Sequence, residues 1–149
     1  MKPKQKNLKV ALIAGTARKL NGEALACLIY SNSPLFRHSY NYCKANYDKV
    51  YIISAKYGLI EPTKRIESYN ESLDFKRRRE LKDWLKLVVK QIEKEIPLNS
   101  ELYFHTGKRL YKLIPYLESL GYKCFTPMKG MSIGKRLKFY ITNLEKYGK

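Results

Sequence analysis

The sequence predicts an α/β fold of three layers, with a mostly parallel four-stranded sheet and helices on both of its faces. Two observations support this prediction. Four short apolar runs alternate along the chain with segments whose apolar residues recur every three or four positions. That order of elements is typical of parallel strands joined by right-handed crossovers. We expect residues 1–149 to form one domain, because a chain of this length can bury its own core.

The four predicted strands are residues 8–14, 49–54, 101–105 and 122–126. The first, LKVALIA, is apolar almost throughout and stops at Gly15, as is common for a strand buried on both faces. The second, KVYIIS, ends in a serine, after which a long polar loop begins. The last two are short and contain aromatic residues. No linker or domain boundary is visible between them.

Helices are predicted between and after the strands, at residues 23–30, 33–46, 75–96, 106–120 and 133–147. Ser33 is a suitable N-cap, and Pro34 suits the first helical position. The third helix carries an apolar stripe that includes the single tryptophan, so this tryptophan is expected in the core. Pro97, Gly121 and Gly148 follow the last three helices and are expected to end them.

The charge of the chain favours a polyanionic partner. Thirty Lys and Arg residues face 13 Asp and Glu residues, which gives a formal net charge of +17, and residues 1–7 form a basic tail. Cations that neutralise phosphates release condensed counterions, so DNA or RNA is the expected partner. The alternative is a lysine-rich proteome, in which Lys, Ile, Tyr and Asn rise together for reasons of genome composition.

Other features exclude several classes of protein. Cys27, Cys43 and Cys124 are far apart and lack metal-ligand spacing, so they are expected to be reduced core thiols, and no metal or cofactor is predicted. No apolar run approaches the roughly 20 residues of a membrane span. The first nine residues lack the apolar segment of a signal peptide. We expect a cytoplasmic protein with no membrane partner.

Four loops are expected to meet at the carboxyl edge of the sheet, where open α/β sheets bind ligands. They are residues 15–19, 54–69, 106–109 and 127–134, and each contains glycine together with hydroxyl or basic residues. Gly15 directly follows a strand, where the absent side chain allows close approach of a ligand to the backbone. Thr16 and Lys19 belong to the same candidate site.

Phosphate contacts are predicted at two helix starts. Thr106, Gly107, Lys108 and Arg109 follow a strand directly, and free N–H groups at a helix start favour an anion. Lys135 and Arg136 repeat the Gly-Lys-Arg pattern at the last helix. The alternative interpretation is that both segments are ordinary helix starts with solvated charges.

The long loop supplies the candidate catalytic residues. Glu61 and Glu67 are carboxylates among cations, and such a group could act as a base towards water or a sugar. Alternatively, each forms an ion pair that holds the loop. Further candidates could hydrogen-bond or stack on a base, or grip its phosphate: Ser54, Lys56, Tyr57, Tyr69 and Asn70. Tyr57 could equally be a packed loop residue, and Asn70 a turn residue.

Several segments resemble a small microbial and viral family: LIAGTARKL, YIISAKYGLIEPTKRIESYNESL and PMKGMSIGKRL. That family is similar to the YaaA peroxide-stress family in the pattern S-x-x-Y-G-L-x-x-P…I-x-x-Y. The pattern is matched here by Ser54, Tyr57, Gly58, Leu59, Pro62, Ile66 and Tyr69.

The resemblance implies DNA binding and protection from oxidative damage. A looser likeness extends to the uracil-DNA-glycosylase-like fold, including domains attached to archaeal tRNA-modifying enzymes. Two departures stand out. Relatives often place Cys or Ser where this chain has Gly15 or Thr16, and the water-activating Asp motif of uracil glycosylases is absent after the first two strands.

Together these observations predict a DNA- or RNA-binding protein that recognises or processes a base in repair or modification. As an enzyme it would catalyse N-glycosidic cleavage or base exchange, with Glu61 or Glu67 orienting water and Ser54 assisting. Tyr57 and Tyr69 would hold an extruded base. The alternatives are a non-catalytic nucleic-acid-binding module and an enzyme acting on free nucleotides or nucleosides.

Overall fold

The computed structural model describes residues 7–16, 19–70, 73 and 76–147, with side chains as far as residue 143. Four sequence predictions fall wholly or partly outside the described residues. These are the basic tail at residues 1–7, of which Asn7 alone is described, the loop at residues 15–19, of which 17 and 18 are not described, the helix start at Phe75, and the helix stop at Gly148.

The described strands are β1 (Lys9–Ala14), β2 (Glu23–Leu25), β3 (Lys49–Ser54), β4 (Gly58–Ile60), β5 (Arg65–Glu67), β6 (Glu101–His105) and β7 (Lys123–Phe125). Five of them form the central sheet in the order β4-β3-β1-β6-β7. β3, β1, β6 and β7 run parallel, and β4 is antiparallel to β3 at one edge. A mostly parallel α/β sheet is therefore confirmed, with five strands where four were predicted.

The described helices are α1 (Ala26–Ile29), α2 (Pro34–Asn46), α3 (Arg78–Glu95), a 3₁₀ helix (Lys108–Leu113), α4 (Ile114–Leu120) and α5 (Ile133–Tyr147). Ser33 caps α2 as predicted, because its Oγ accepts a hydrogen bond from the backbone N–H of Phe36 at 3.2 Å. Gly121 ends α4 with a φ of 112°, a left-handed conformation that glycine adopts without strain.

Three local predictions were wrong in detail. The polar segment at residues 54–69 contains two short strands, β4 and β5, instead of being loop throughout. Residues 23–25 form β2 because they pair with β5, so only residues 26–29 of the predicted helix are helical. The helix predicted after β6 begins as the 3₁₀ helix, and the α-helical part starts at Ile114.

Side chains of the sheet alternate between two apolar clusters, one on each face. On the first face, Leu12 and Phe104 pack with α3, the 3₁₀ helix and α4, and Trp84 lies in this cluster. On the second face, Ile13 and Ile52 pack with α1 and α2. The helix α5 then packs on α2. Helices therefore cover both faces, as the order of elements predicts.

The three cysteines are free thiols as predicted, but only Cys43 is fully buried in the core, whereas Cys27 and Cys124 are partly exposed. Burial raises the pKa of Cys43 well above its ordinary value and that of Cys124 to about 12, so both remain protonated at neutral pH. Among the residues that the structure describes, no cluster of three or more His, Cys, Asp or Glu could hold a metal ion. None of the described helices combines the length and the apolar character needed to cross a bilayer.

Candidate functional site

The carboxyl ends of the parallel strands bring several loops to one edge of the sheet. β1 pairs with β3 on one side and with β6 on the other. The chain first steps from β1 to β3 and later crosses to β6, so the direction of strand addition reverses between β1 and β6. Ligands of open α/β sheets bind beside such a reversal. The loops that follow these strands therefore contain the expected ligand site.

The Ser54 side chain is fully buried at the end of β3, where it holds the turn that follows. Its Oγ accepts hydrogen bonds from the backbone N–H groups of Lys56 at 3.1 Å and Tyr57 at 3.0 Å, and donates to the Tyr69 hydroxyl at 2.8 Å. The Trp84 indole donates to the Ser54 carbonyl at 3.2 Å. A hydroxyl has one proton and two lone pairs, so the bonds with Lys56, Tyr57 and Tyr69 use the whole hydrogen-bonding capacity of the Ser54 Oγ.

Tyr69 extends this buried chain of hydroxyl groups. Its hydroxyl lies 2.5 Å from that of Tyr30, and burial raises the pKa of both phenols, so both stay protonated. The Nζ of Lys19 lies 4.4 Å from the centre of the Tyr69 ring and donates to the Thr16 carbonyl at 3.2 Å. Gly15 packs against Tyr30 so closely that a Cβ would lie 2.8 Å from its ring. Gly15 and Lys19, two of the three predicted ligand residues of the first loop, thus contact this aromatic pair.

Tyr57 spans the loop. Its hydroxyl donates to the backbone carbonyl of Glu67 at 3.1 Å, and its ring lies edge-on to Tyr69 with 5.6 Å between the ring centres. The Nζ of Lys56 lies 5.3 Å from the centre of the Tyr57 ring. Asn70 is exposed beyond this cluster. These contacts give Tyr57 a packing role in the loop, one of its two predicted roles.

Glu61 and Glu67, the predicted catalytic carboxylates, are both exposed and lie on different elements. Glu61 follows β4, the outer strand, and its charge adds to burial in raising the pKa of Tyr51. Glu67 ends β5 and lies opposite Glu23 in the two-stranded sheet. In the described part of the chain the ion pair of this region joins Arg65 to Glu23 at 2.9 Å, with both side chains largely exposed.

A pocket of about 370 Å³ opens where the loops after β6 and β7 meet the first turn of α5. Three cationic side chains line it: Lys108, Lys129 and Arg136. No Asp or Glu among the described residues lines this pocket, which we call the basic pocket. Its other lining residues are apolar or small: Thr106, Gly107, Tyr111, Met128, Gly130 and Met131.

The apolar wall of the basic pocket packs against the core of the protein. Tyr111 packs edge-on against the buried Phe104 ring, with 6.4 Å between the ring centres. Met128 is buried, whereas Met131 is 37% exposed at the opening. Methionine adapts its shape to flat or irregular groups. The pocket therefore combines a fixed apolar wall with an adaptable side chain at its opening.

Arg136 has a buried donor without a partner. Its Nε atom is buried, and within the described part of the chain it has no hydrogen-bond partner. The guanidinium charge lowers the pKa of His105 and opposes the rise that burial causes at Tyr111 and Tyr140. A cation held partly out of water without a carboxylate favours an anionic ligand.

His105, at the end of β6, supports the pocket from the second face of the sheet. Its Nε2 lies 2.7 Å from the Tyr47 hydroxyl and its Nδ1 lies 2.8 Å from the Tyr140 hydroxyl. Burial, and then the Arg136 charge, lowers the pKa of His105 to about 4, so the ring is neutral at neutral pH. Because Tyr140 lies one turn after Arg136 on α5, the bond to His105 also fixes the helix that carries Arg136.

A second pocket, of about 460 Å³, lies at the opposite, amino edge of the sheet. It contains two lysines, Lys9 and Lys123, but also two carboxylates, Asp48 and Glu101. Its formal charges balance, so it has less reason to bind an anion than the basic pocket. The carboxyl edge is the better candidate for a functional site.

The structure brings together only part of the predicted site. Four predicted residues line the basic pocket: Thr106, Gly107, Lys108 and Arg136. Arg109 and Lys135 are exposed outside its lining, and the Lys135 backbone N–H is bound by Ser132 Oγ at 3.2 Å. Ser54 and Tyr69 form, together with Tyr30, a separate buried group that we call the hydroxyl cluster. The predicted residues Glu61, Glu67 and Asn70 are exposed outside it.

Sequence reasoning missed Tyr111, Met128, Lys129 and Met131 as individual pocket residues. The last three lie within residues 127–134, a segment predicted to belong to the carboxyl edge. Tyr111 had no such signal, because its direction depends on the 3₁₀ helix, which the sequence pattern did not predict.

A protein-family model matches most of the chain. A model described as a family of unknown function, DUF6884, matches residues 10–142. The chain belongs to the DUF6884 family. The matched range contains the whole hydroxyl cluster and the whole basic pocket, so both are parts of the DUF6884 domain. No curated protein and no solved structure matches the chain.

Proposed function

We propose that this DUF6884 protein binds DNA or RNA at the carboxyl edge of its sheet, with a phosphate of the nucleic acid held in the basic pocket. The observation that carries the proposal is the composition of that pocket: Lys108, Lys129 and Arg136 line it together with no described carboxylate. The net charge of +17 supports association with a long polyanion.

The apolar wall of the pocket gives the nucleotide a second contact. A phosphate alone needs donors and charge, whereas Tyr111, Met128 and Met131 offer surface for a sugar or a base. Ligand pockets commonly combine an apolar lining with a few charged groups that fix orientation. The volume of about 370 Å³ lies within the range of about 300–1,000 Å³ that is typical of such sites.

The test is the salt dependence of binding to a fluorescent oligonucleotide, measured by anisotropy at several salt concentrations. We expect affinity to fall as salt rises, because phosphate contacts release counterions. Lys108→Ala should lower the affinity and reduce the salt slope by about 1, since one phosphate contact is lost. Affinity that does not change with salt would overturn the proposal.

Lys94→Ala is the matched control. Lys94 is an exposed lysine in the last turn of α3, and its removal changes the net charge by the same amount. The helix α3 ends near the start of β6, at the amino edge of the sheet, away from the pocket. If Lys94→Ala and Lys108→Ala weaken binding equally, the basic pocket is not the site.

A base-processing activity is a finer part of the proposal, and it follows the likeness to the YaaA family and the uracil-DNA-glycosylase-like fold. Glu61 and Glu67 are the candidate bases for N-glycosidic cleavage or base exchange. Both lie outside the lining of the basic pocket, so catalysis needs a base extruded towards the first two loops.

The catalytic part has its own test. Incubation with base-labelled oligonucleotides, with free base detected by chromatography, should show release that Glu61→Gln or Glu67→Gln abolishes. Salt-dependent binding without any release from wild-type protein would leave a non-catalytic nucleic-acid-binding module, the second function that the pocket supports.

A further inference from the structure

We propose that the basic pocket recognises a phosphate monoester, the terminal phosphate of a nucleic acid strand, in preference to the phosphodiesters within the strand. This inference rests on the proposed function and deepens it, because it names the chemical group that the pocket selects. A free mononucleotide carries the same group and is the other source of this chemistry.

The first argument is the charge of the pocket. Lys108, Lys129 and Arg136 present three positive charges, with no Asp or Glu among the described lining residues. An internal phosphodiester carries one negative charge, whereas a phosphate monoester carries about 1.5 to 2 at pH 7 and has a third acceptor oxygen. The monoester therefore neutralises more of the charge that the pocket concentrates.

The second argument is the Nε donor of Arg136. This Nε is buried without a hydrogen-bond partner among the described residues, and Arg136 lines the pocket. A guanidinium binds phosphate best through two parallel N–H donors. A terminal phosphate exposes more oxygens to such a fork than a phosphodiester, whose two ester oxygens continue into the chain.

The third argument is the shape of the site. The pocket is bounded by the 3₁₀ helix after β6, the turn at Gly130 and the first turn of α5. At about 370 Å³ it is near the lower end of the range for ligand pockets, so it suits one nucleotide better than a passing chain. A strand end can enter such a pocket with its last base against Tyr111 and Met128.

The fourth argument is the anchoring of the helix that carries the arginine. The bond of 2.8 Å between Tyr140 and His105 fixes α5 one turn beyond Arg136. His105 is 1% exposed, and its other ring nitrogen lies 2.7 Å from the Tyr47 hydroxyl, so it is itself held in place. A site whose backbone is already fixed loses less freedom when the ligand binds.

The experiment compares three oligonucleotides of one sequence, carrying a 5′-phosphate, a 3′-phosphate or hydroxyls at both ends, by anisotropy at constant salt. We expect one phosphorylated form to bind about tenfold more tightly than the unphosphorylated form. Arg136→Ala and Lys108→Ala should each abolish that preference. Lys94→Ala, with the same loss of charge at a distant exposed site, should keep it.

Two outcomes separate this inference from the proposed function. If all three oligonucleotides bind equally and with strong salt dependence, the phosphate-end inference fails while nucleic-acid binding stands. If none of them binds, but adenosine monophosphate shifts the NMR signals of the pocket and adenosine does not, nucleic-acid binding fails while monoester recognition stands. Equal binding of adenosine and adenosine monophosphate would also overturn the inference.

Discussion

The hydroxyl cluster of Ser54, Tyr30 and Tyr69 and the basic pocket around Arg136 lie at the same edge of the sheet, yet their polar groups are in opposite states. In the cluster each hydroxyl has a partner, and the Ser54 oxygen has three. In the pocket the Arg136 Nε is buried without a partner in the described residues. The first region resembles a packed core, whereas the second has the charge of an anion-binding site.

This difference separates two reasons for a polar residue to lie at a strand end. A buried polar group that is fully bonded stabilises one conformation of the backbone. A buried cation without a partner lowers the stability of the free protein, and an anion that binds to it compensates this cost. The bonded polar groups within residues 54–69 therefore serve mainly to stabilise the conformation of that segment. The pocket formed by the later loops is the better candidate for ligand binding.

The largest expected effect is on the free energy of unfolding, when one polar side chain is removed from each region. Ser54→Ala should lower the free energy of unfolding by about 3 kcal/mol, because two backbone N–H groups and the Tyr69 hydroxyl lose their shared partner. Arg136→Ala should not lower it, because the substitution removes a partly buried charge whose Nε has no hydrogen-bond partner among the described residues. Oligonucleotide affinity should behave in the opposite way, being retained by folded Ser54→Ala and lost by Arg136→Ala.

Urea unfolding at neutral pH measures the first quantity. Ser119→Ala is the control, since Ser119 is exposed and its hydroxyl bonds only a carbonyl of its own helix, at 2.7 Å. This variant should stay within about 0.5 kcal/mol of the wild type. If Ser54→Ala is no more harmful than Ser119→Ala, the hydroxyl cluster does not hold the loop.

Much of the fold could be predicted from the sequence because apolar runs have few alternatives. The inner residues of β1 and β3, residues 10–13 and 51–53, are buried on both faces, so these parts of the sequence are apolar throughout. The small sheet was missed because its strands contain no such apolar run. β2 and β5 are three residues each, with a single buried residue between them, and they form because they pair with each other across about 40 positions of sequence.

The site was predictable only where the chain itself concentrates charge. Lys108 and Arg136 follow glycines at helix starts, and both line the pocket. For Ser54 the sequence could not separate a bonded hydroxyl from a reactive one, because its partners come from the next turn and from Tyr69. Contacts made across the fold decide whether a polar residue is satisfied, and a linear pattern does not contain them.

A second prediction extends the comparison to the residues behind the pocket. His105 is bonded on both ring nitrogens, and its pKa falls from its ordinary value of 6.5 to about 4. The unfolded chain therefore binds a proton at a higher pH than the folded protein, so stability is full above pH 6.5 and is lost as pH falls towards 4. Between pH 8 and pH 5 this linkage should lower the free energy of unfolding by about 2 kcal/mol.

Urea unfolding at pH 8, 6.5 and 5 measures this decline. The groups facing His105 are Tyr42, Tyr47, Tyr140 and the Arg136 charge, and burial raises the pKa of Tyr47 and of Tyr140 above the ordinary value of a phenol. His105→Gln should be less stable at pH 8 but should lose most of the decline towards pH 5. His38→Gln retains His105 and should therefore retain the decline. An equal decline in His105→Gln would place its origin elsewhere.

The smallest expected effect tests how tightly the turn after Ser54 is packed. Gly58 and Gly22 both have left-handed φ values, of 72° and 83°, so an alanine at either position should cost about 1 kcal/mol in conformational strain. At Gly22 a new Cβ meets no atom within 4 Å, whereas at Gly58 it overlaps the Oε1 of Gln91. That amide accepts from the Leu59 N–H at 2.8 Å and donates to the Tyr57 carbonyl at 3.1 Å.

Gly58→Ala should therefore cost about 1 kcal/mol more than Gly22→Ala, since Gln91 must give up at least one of these bonds. Gly107→Ala, which has an ordinary φ and open space in front of it, should cost neither amount. Thermal or urea unfolding of the three variants separates the two contributions. If Gly58→Ala and Gly22→Ala are equally destabilised, Gln91 moves without loss, and Gly58 is required for its φ alone. A larger loss at Gly58 would show that the turn is as closely packed as the hydroxyl cluster beside it.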